Sequence, residues 1–387
     1  MRILITTVTA GGGHMAAASA LQETWQELRP DDVVEKVDIL KFCSPLERKM
    51  HSKGYLALAG HAPELWGMVF RATDDPAVAR RLSRLKRALP SISRVRFSRY
   101  LSSFAPDAVL CTHYLPLETL GIMRTAKPEG GAGGRESGVP FRSGKPLVAS
   151  IVTDFEAHVL WMDPCVDLYC VAADQTRTRL VARGARAQDV IATGIPVSRK
   201  FGVKVNAAAV RKRLGLRDDL PVLLALSGGF GMGPVAEIVA HLDKAEESFQ
   251  IVVVTGRNDT LRRKLAAQTR IHPTDVLGFA PNMHELMAVS NLILSKPGGL
   301  TTSEALALGK PMLIIDPIPG QEAANSDFLL EHGAGAKVNR PEDLPFRVGE
   351  LLGSKKLEGM ARAAGELGQP DAAERICKEI ARRSNEQ

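Results

Sequence analysis

The stretch Ser295-Lys296-Pro297-Gly298-Gly299-Leu300-Thr301-Thr302-Ser303-Glu304-Ala305-Leu306 joins a short apolar segment, Asn291 to Leu294, to a helical pattern. Two glycines at a strand-to-helix turn let a ligand approach the backbone, and the first turn of the helix offers free N–H groups to an anion. Glu304 lies one turn into this helix, where its carboxylate can accept hydrogen bonds from a sugar hydroxyl. The segment therefore predicts either a nucleoside diphosphate site or an ordinary helix start in an α/β protein.

Outward from this stretch, short β-branched runs alternate with helical patterns along the whole chain. This alternation predicts parallel sheets covered by helices. The predicted strands are Ile3–Val8, Val33–Asp38, Ala108–Cys111, Leu147–Val152, Leu168–Val171, Val190–Thr193, Val222–Leu226, Gln250–Val254, Val276–Leu277, Leu292–Leu294 and Met312–Ile315.

The length of 387 residues exceeds one ordinary hydrophobic core and predicts two domains. The turn Gly194–Val197 and the basic stretch to Lys204 mark the boundary. We predict an N-terminal domain at 1–199, a C-terminal domain at 200–369 and a closing helix at 370–387. The segment at about 128–146 is rich in Gly, Arg and Ser, and we expect it to be a mobile surface insertion.

Composition narrows the class of partner. The formal charge of +7 favours anionic partners, whereas the aromatic content of only 5% provides no platform for stacked bases, so nucleic acid is not expected. The five cysteines are odd in number and lack paired C-x-x-C spacing, so we expect reduced thiols and no zinc site. No apolar run reaches the length of a membrane span, and the chain is expected to be cytoplasmic.

A glycine turn follows the first predicted strand. Gly11, Gly12 and Gly13 allow a ligand to reach the backbone at the start of the next helix, and His14 places an imidazole there. An imidazole can take a proton near neutral pH, so His14 is a candidate general base, with a purely structural histidine as the alternative. The G-x-G-x-x-G spacing of dinucleotide-binding proteins is absent.

Two more loops follow strands of the second half. Ser227 to Gly233 is a second glycine cluster, but it lacks the G-x-x-x-x-G-K-[ST] pattern of a nucleotide-hydrolysing P-loop. Asp316 to Glu322 leads into a helix through Asn325, and its polar side chains suit either sugar hydroxyls or helix capping.

Thr153 to Trp161 follows a buried strand in the first half. Asp154 and His158 can orient or deprotonate an acceptor hydroxyl, and Trp161 can pack on a lipid or sugar. Asp154 is equally suited to capping the next helix.

The segment between Pro76 and Pro106 contains no acidic residue. Val78, Leu82, Leu85 and Leu89 recur at helical spacing, which predicts a basic amphipathic helix. Such a helix either lies on an anionic membrane surface or is a solvated face of the core. The basic residues are Arg80, Arg81, Arg84, Lys86, Arg87, Arg94, Arg96 and Arg99.

Taken together, the motifs resemble those of glycosyltransferase family 28, of the diacylglycerol glycosyltransferase and monogalactosyldiacylglycerol synthase type. The resemblance covers nearly the whole chain and rests on the order and spacing of the motifs. Its landmarks are Gly11–His14, Thr153–Phe155 with His158 and Trp161, Gly194–Val197, Gly228–Gly233, Gly278–Phe279 with Asn282–Met283, Lys296–Gly299 and Gly320–Glu322.

The resemblance implies a GT-B fold: two Rossmann-like domains facing across a cleft, with the C-terminal helix crossing back to the first domain. It implies a UDP-sugar donor with Phe279 near the uracil, Glu304 on the ribose and Gln321 near the sugar. The implied donor-binding residues are Gly228, Gly229, Gly231, Phe279, Gly298, Gly299, Thr301, Glu304, Gln321, Glu322 and Asn325.

In the N-terminal domain, the resemblance implies a lipid acceptor, most simply diacylglycerol, held near Gly12, Gly13, His158 and Trp161. His14 or Asp154 then deprotonates the acceptor hydroxyl, which attacks the sugar with inversion. No metal and no cofactor is implied, and the protein is expected to associate peripherally with the anionic inner face of the cell membrane.

Three other functions fit the same motifs. They are a peptidoglycan-type N-acetylglucosaminyltransferase, a non-hydrolysing UDP-sugar 2-epimerase and a non-catalytic UDP-sugar-binding protein.

Overall fold

The computed structural model describes residues 1–9, 12–49, 62–88, 92–125, 146–227 and 235–386. The chain divides into two compact units, one formed by 1–198 with 371–387 and the other by 199–370. The predicted insertion at 128–146 lies outside the described residues except for Pro146.

The first unit contains a six-stranded sheet in which every pair of neighbours is parallel, in the order β2-β1-β3-β4-β5-β6. Consecutive residues of a strand serve opposite faces: Leu4 packs into one hydrophobic core, whereas Ile3 and Ile5 pack into the other. The strands are β1 (Arg2–Thr7), β2 (Val33–Asp38), β3 (Ala108–Cys111), β4 (Leu147–Ile151), β5 (Leu168–Val171) and β6 (Val190–Ala192).

The second unit repeats this architecture with the order β12-β11-β10-β7-β8-β9, again all parallel. The predicted α/β fold with parallel sheets is therefore confirmed. The strands are β7 (Val222–Leu226), β8 (Gln250–Val254), β9 (Thr274–Leu277), β10 (Leu292–Ser295), β11 (Met312–Ile315) and β12 (Gly335–Val338). Sequence analysis misses β12, because its Gly-Ala-Lys-Val sequence has no β-branched run and relies on pairing with β11.

Helices cover both sheets. Those of the first unit are α1 (Gly12–Leu28), α2 (Pro45–Lys49), α3 (Pro63–Thr73), α4 (Pro76–Ala88), α5 (Ile92–Phe104), α6 (Tyr114–Thr125), α7 (Asp174–Ala182) and the C-terminal α16 (Ala372–Asn385). Those of the second unit are α8 (Ala207–Arg213), α9 (Val235–Leu242), α10 (Asp259–Ala266), α11 (Met283–Val289), α12 (Gly299–Ala307), α13 (Gln321–Glu331), α14 (Leu344–Leu351) and α15 (Lys355–Leu367).

The C-terminal helix α16 returns to the first unit, as expected. Its apolar residues Ile376 and Ile380 are fully buried in the core that also holds Leu21 and Trp25 of α1. Arg375 at the start of the helix donates to the carbonyl oxygen of Ala192 at the end of β6. One apolar face and one polar anchor thus fix a segment that is distant in sequence.

Each sheet has a point at which the strand order changes direction. In the first unit it lies between β1 and β3, and in the second between β7 and β10. In open parallel sheets, ligands bind outside the carboxyl ends of the strands at such a point. The loops after β1, β3, β7 and β10 are therefore the places where the fold positions a site.

Candidate functional site

His14 lies in the first turn of α1, beside the switch point of the first sheet. Its Nδ1 is 2.9 Å from the carbonyl oxygen of Thr112, which directly follows β3. The same nitrogen is 2.9 Å from Oγ1 of Thr153, which follows β4. Three neighbouring strands thus bring together residues that are up to 139 positions apart in sequence.

These contacts fix which nitrogen of His14 carries the proton. A carbonyl oxygen can only accept a hydrogen bond, so the contact with Thr112 requires Nδ1–H as the donor. Nε2 of the neutral ring then holds a lone pair, and no described residue forms a hydrogen bond with it. This is the arrangement of a general base whose orientation is set by the opposite ring nitrogen.

The surroundings also set the charge of His14. Burial lowers the pKa of the ring below its usual value, and the negative charge of Asp154 and the Thr112 hydrogen bond oppose this shift. The net shift is downward, so the imidazole is neutral and able to accept a proton at neutral pH. Asp154 therefore lies close enough to interact with His14, as a pair of catalytic groups requires.

His113 is a site residue that sequence analysis leaves without a role. Its ring stands edge-on to His14, with the ring centroids 4.7 Å apart. Its Nδ1 accepts from the N–H of Leu115, so the proton of the neutral ring is on Nε2. The sequence signal that could have identified His113 was its position just after β3, because polar residues at strand ends next to a switch point tend to face a ligand.

Trp161, which was predicted to contact the acceptor, is mostly buried. Its side chain is only 4% exposed and belongs to the hydrophobic core. Its ring lies 6.4 Å from His14 and 6.3 Å from His113, centroid to centroid. Trp161 therefore lies in the same cluster of rings as the two histidines.

His158 is likewise a supporting residue. It is 5% exposed, its Nδ1 accepts from the N–H of Leu160, and its Nε2 lies 3.0 Å from the carbonyl oxygen of Phe70 in α3. Both ring nitrogens are thus used within the protein, and neither is left for an acceptor. His158, not Asp154, caps the short helical turn Val159–Trp161.

The two glycines expected at the acceptor begin α1. Gly12 is exposed, and a Cβ added there would meet no atom within 4 Å, so open space faces the backbone at this point. Gly13 is partly exposed beside it, and Gly11 lies outside the described residues.

In the second unit, the opening stretch forms the expected strand, turn and helix. Gly298 precedes α12 in extended backbone (φ −62°, ψ 140°), and no side chain caps the helix. Gly299 is buried as the first helical residue, and Thr301 is partly buried in the same turn. The first N–H groups of α12 are therefore available at the switch point between β7 and β10.

Glu304 is a partly buried carboxyl group. Among the described residues it has no hydrogen-bond or ion-pair partner, and burial raises its pKa to about 8. An uncompensated carboxyl group of this kind is costly for the fold and is typical of a ligand-binding position. Its place in α12 makes it a candidate for the hydroxyl groups of a ribose.

The loop between β11 and α13 holds Glu322 and Asn325. Glu322 accepts from the N–H of Ile318, and its carboxyl group approaches Gly298. Asn325 is fully buried, and its Nδ2 donates to the carbonyl oxygen of Pro297. Asn325 thus anchors the Lys296–Gly299 turn, and its contact with the sugar stays a prediction. Gln321 is partly exposed at the start of α13.

Phe279 follows β9, and 68% of its surface is exposed. An exposed ring of this size is free to pack against a planar base. The predicted diphosphate residues Gly228, Gly229 and Gly231 lie outside the described residues. Within the described part of the chain, no three His, Cys, Asp or Glu side chains form a metal-ligand cluster, and no helix is long and apolar enough to cross a membrane.

Comparison with solved structures identifies the class of fold. The chain matches MurG of Acinetobacter baumannii with a TM-score of 0.60 at 16% identity, over 98% of this chain and 99% of the other. It matches Anabaena HepE in complex with UDP-glucose with a TM-score of 0.55 at 14% identity, over all of both chains. It matches UDP-GlcNAc 2-epimerase of Neisseria meningitidis, bound to UDP-GlcNAc, with a TM-score of 0.59 at 15% identity, over 99% and 100%. The fold is GT-B.

Family models and relatives then define the family. Residues 14–130 and 140–197 match the monogalactosyldiacylglycerol synthase family, and 234–376 match the C-terminal domain of glycosyltransferase family 28. The chain is 30% identical to a probable chloroplastic monogalactosyldiacylglycerol synthase of Glycine max, over 98% of this chain and 71% of that protein. It is 27% identical to a processive diacylglycerol beta-glucosyltransferase of Bacillus pumilus, over 99% and 95%. The chain therefore belongs to glycosyltransferase family 28, as a member of its diacylglycerol glycosyltransferase and monogalactosyldiacylglycerol synthase group.

Proposed function

We propose that this protein is an inverting glycosyltransferase that moves a hexose from a UDP-sugar to a hydroxyl group of a membrane lipid, with diacylglycerol as the acceptor. Family membership supports the reaction class, since the curated relatives carry the names of diacylglycerol glycosyltransferases. The observation that carries the mechanism is the hydrogen bonding of His14, which leaves the lone pair of Nε2 for an acceptor hydroxyl.

In the proposed reaction, Nε2 of His14 removes the proton of the acceptor hydroxyl as its oxygen attacks the anomeric carbon. The bond between this carbon and the diphosphate oxygen breaks, and UDP leaves with the electron pair. Asp154 stabilises the imidazolium that forms, because its negative charge favours the protonated ring. General-base help of this kind contributes on the order of a hundredfold to ten-thousandfold in rate.

On the donor side, Glu304 is proposed to accept hydrogen bonds from the ribose, and the exposed ring of Phe279 to pack against the uracil. Two solved proteins of the same fold are bound to UDP-sugars, HepE to UDP-glucose and the epimerase to UDP-GlcNAc, which supports this class of donor. The first N–H groups of α12 and the ammonium group of Lys296 supply positive charge for the diphosphate. We therefore propose that the reaction needs no metal and no organic cofactor.

The acceptor lies in a lipid bilayer, and we propose that α3, α4 and α5 form the membrane-facing surface. Large apolar side chains on these helices are exposed, with Met68 at 61% and Ile92 at 64%. Exposed arginines accompany them, and Arg80 and Arg81 lie in the part of α4 whose side chains are described. Basic and apolar groups together suit an anionic bilayer surface. Arg84, Lys86, Arg87 and Leu89 fall outside the described side chains.

The test is a transfer assay with four radiolabelled donors, UDP-glucose, UDP-galactose, UDP-glucuronate and UDP-N-acetylglucosamine, each with and without diacylglycerol vesicles. We expect label in the organic phase only when diacylglycerol is present, with one donor strongly preferred. A His14→Ala variant should bind UDP as the wild type does and lose transfer.

Other outcomes would replace the proposal with a rival. In a parallel reaction that contains a polyprenyl-linked peptidoglycan precursor in place of diacylglycerol, label on this precursor would indicate the peptidoglycan-type transferase. Conversion of UDP-N-acetylglucosamine to its 2-epimer would indicate an epimerase. Tight UDP-sugar binding with no turnover under any condition would indicate a non-catalytic binding protein.

A further inference from the structure

Lys296 and Asp316 form an ion pair at the edge of the second sheet where the strands end. They directly follow the neighbouring parallel strands β10 and β11. Nζ of Lys296 lies 2.6 Å from Oδ2 of Asp316. The lysine side chain is 28% exposed and the aspartate side chain 55%, so both charges reach solvent.

The backbone holds Asp316 in an unusual conformation. Its φ of 47° lies in the left-handed region, which L-residues rarely adopt and which Asp and Asn tolerate better than most. The loop that it opens ends at Gly320, which also has a positive φ of 102°, and it contains Pro317 and Pro319. A loop bounded in this way has little freedom, so the carboxylate is held beside Lys296 by the backbone.

Lys296 also lies at the anion-binding end of α12. It precedes Gly299, the first residue of the helix, by three residues, and its carbonyl oxygen accepts from the Gly298 N–H at 3.0 Å. The backbone of Lys296 is therefore part of the turn that leads to the first N–H groups of α12, to which the proposed diphosphate binds. An ammonium group can divide its three N–H donors between a carboxylate and a diphosphate, but each anion then receives fewer of them than it would alone.

We propose that Asp316 competes with the diphosphate of the bound nucleotide for Lys296, which rests on the UDP-sugar donor proposed above. An ion pair with a half-exposed partner is weak and is screened by salt, so the more highly charged diphosphate can displace the carboxylate. The displaced Asp316 then stands close to the diphosphate, and like charges repel. Asp316 thus lowers the affinity for the nucleotide.

Asp316 also affects turnover. The UDP-sugar donor and the product UDP share the diphosphate, so Asp316 weakens the binding of both equally. The rate of the chemical step is then unchanged, whereas the release of UDP is faster. Product release limits many enzymes, and an internal anion that recaptures Lys296 as UDP leaves would shorten this step. Asp316 thus acts through Lys296 and favours the release of UDP.

The first test is Asp316→Asn, which removes the charge and retains a residue type that tolerates the left-handed backbone. By isothermal titration calorimetry we expect UDP to bind about threefold to tenfold more tightly to this variant than to the wild type. Uridine, which lacks the diphosphate, should bind both proteins equally. In the transfer assay, UDP should become a correspondingly stronger inhibitor.

The second test is a double-mutant cycle with Lys296→Met. If Asp316 acts by occupying Lys296, the effect of Asp316→Asn on UDP affinity should shrink in the Lys296→Met background. If Asp316→Asn changed UDP affinity equally with Lys296 and with Met at this position, Asp316 would act only by repelling the diphosphate. This result would overturn the proposed competition for Lys296. Equal UDP affinity of wild type and Asp316→Asn would overturn this inference alone, whereas no UDP binding by the wild type would overturn the proposed donor as well.

Discussion

At the scale of single residues, the contacts of His14 select one form of the base that we propose. Its ring could present either nitrogen, and the carbonyl oxygen of Thr112 selects the tautomer with the proton on Nδ1. Burial keeps the pKa of this ring below its usual value. The rate of transfer should therefore rise with pH and level off once the pH exceeds this lowered value.

We expect His14→Ala to reduce kcat by about a hundredfold to ten-thousandfold, the usual contribution of a general base. UDP affinity should be unchanged, because the proposed donor residues belong to the other unit of the fold. The pH profile of the wild type should show an acid limb with a midpoint below about 6.5. A limb at or above this value, or near-normal transfer by the variant, would contradict the base assignment.

Thr153 offers a second test of the same site. Its buried hydroxyl oxygen lies at hydrogen-bond distance from Nδ1 of His14, which also contacts the carbonyl oxygen of Thr112. We expect Thr153→Val to lower kcat roughly threefold to tenfold, the equivalent of about 1 kcal/mol for one hydrogen bond. KM for the donor should not change. Thr153→Ser keeps the hydroxyl group and should retain most of the activity, and equal loss in both variants would point to packing instead of orientation.

Glu304 should show opposite effects on stability and binding. Its pKa of about 8 in the folded protein lies above the usual carboxyl value, so the folded state binds the extra proton between these two values. Stability is therefore lost as the pH rises towards 8 and the carboxyl group ionises without a partner. We expect Glu304→Gln to raise the free energy of unfolding by about 1–3 kcal/mol at pH 8 or above, and by much less near pH 5.

At a pH above about 8, where Glu304 is ionised, the same variant should bind UDP about tenfold to a hundredfold more weakly than the wild type, because hydrogen bonds to a charged group are lost. Thermal unfolding across the pH range and calorimetric titration with UDP check the two halves of this prediction. If Glu304→Gln did not raise the free energy of unfolding at high pH, the charge of Glu304 would already have a partner in the protein without ligand. Unaltered UDP affinity would remove it from the ribose site.

At the scale of elements, α3 and α4 depend on one polar junction. Asp74, between these helices, forms hydrogen bonds with both terminal nitrogens of Arg183 and with the N–H of Val159. Burial alone would raise the pKa of Asp74, but these hydrogen bonds and the neighbouring positive charges hold it below its usual value. This contribution to stability is present above the unfolded pKa and is lost as the pH falls through the lower folded value.

The proposed membrane surface on α4 can be tested with Arg80→Glu/Arg81→Glu. Each basic residue near an anionic bilayer contributes about 1 kcal/mol, so we expect at least a tenfold loss of binding to phosphatidylglycerol-containing vesicles in flotation assays. Lys355→Glu/Lys356→Glu, at the start of α15, makes the same charge change on exposed residues of the second unit and serves as the control. Binding of the wild type should weaken with salt. Equal losses in both variants would indicate a general charge effect.

At the scale of the whole molecule, the first unit needs the far end of the chain. Ile376 of α16 is fully buried against a core made by the N-terminal strands and α1. We expect Ile376→Ala to lower the free energy of unfolding of this unit by about 2–5 kcal/mol. Lys378→Ala, on the exposed side of the same helix, should cost less than about 0.5 kcal/mol. Similar thermal unfolding of both variants would show that α16 contributes little to the core.

Most of the architecture could be predicted from the sequence. The buried parallel strands are short apolar runs between helical patterns, so their positions were recognisable one by one. The exception was β12, whose small residues carry no intrinsic strand signal. Site loops were also predictable, because glycines and polar residues after a strand mark the ligand edge of an α/β sheet.

The roles of individual site residues were less predictable. His158, Trp161 and Asn325 belong, as His14 and Glu304 do, to sequence segments that were predicted to carry the site, yet the structure buries all three of them. His113 had no signal beyond its place after β3, and only the packing of β1 beside β3 brings its ring to His14. Periodicity and spacing report which loop a residue belongs to, but not which way its side chain points.

The sequence by itself determined the parallel α/β architecture, the division into two domains and the loops of the candidate site, because these depend on local patterns repeated along the chain, and the resemblance of its motifs to the family implied the GT-B fold. The tertiary structure decided the tautomer of His14, the uncompensated carboxyl group of Glu304 and the ion pair between Lys296 and Asp316. Each of these depends on atoms of neighbouring strands that meet only when the parallel sheet forms. The stretch from Ser295 to Leu306 thus specified a strand, a glycine turn and a helix, whereas its neighbours across the sheet determined the charges that surround this turn.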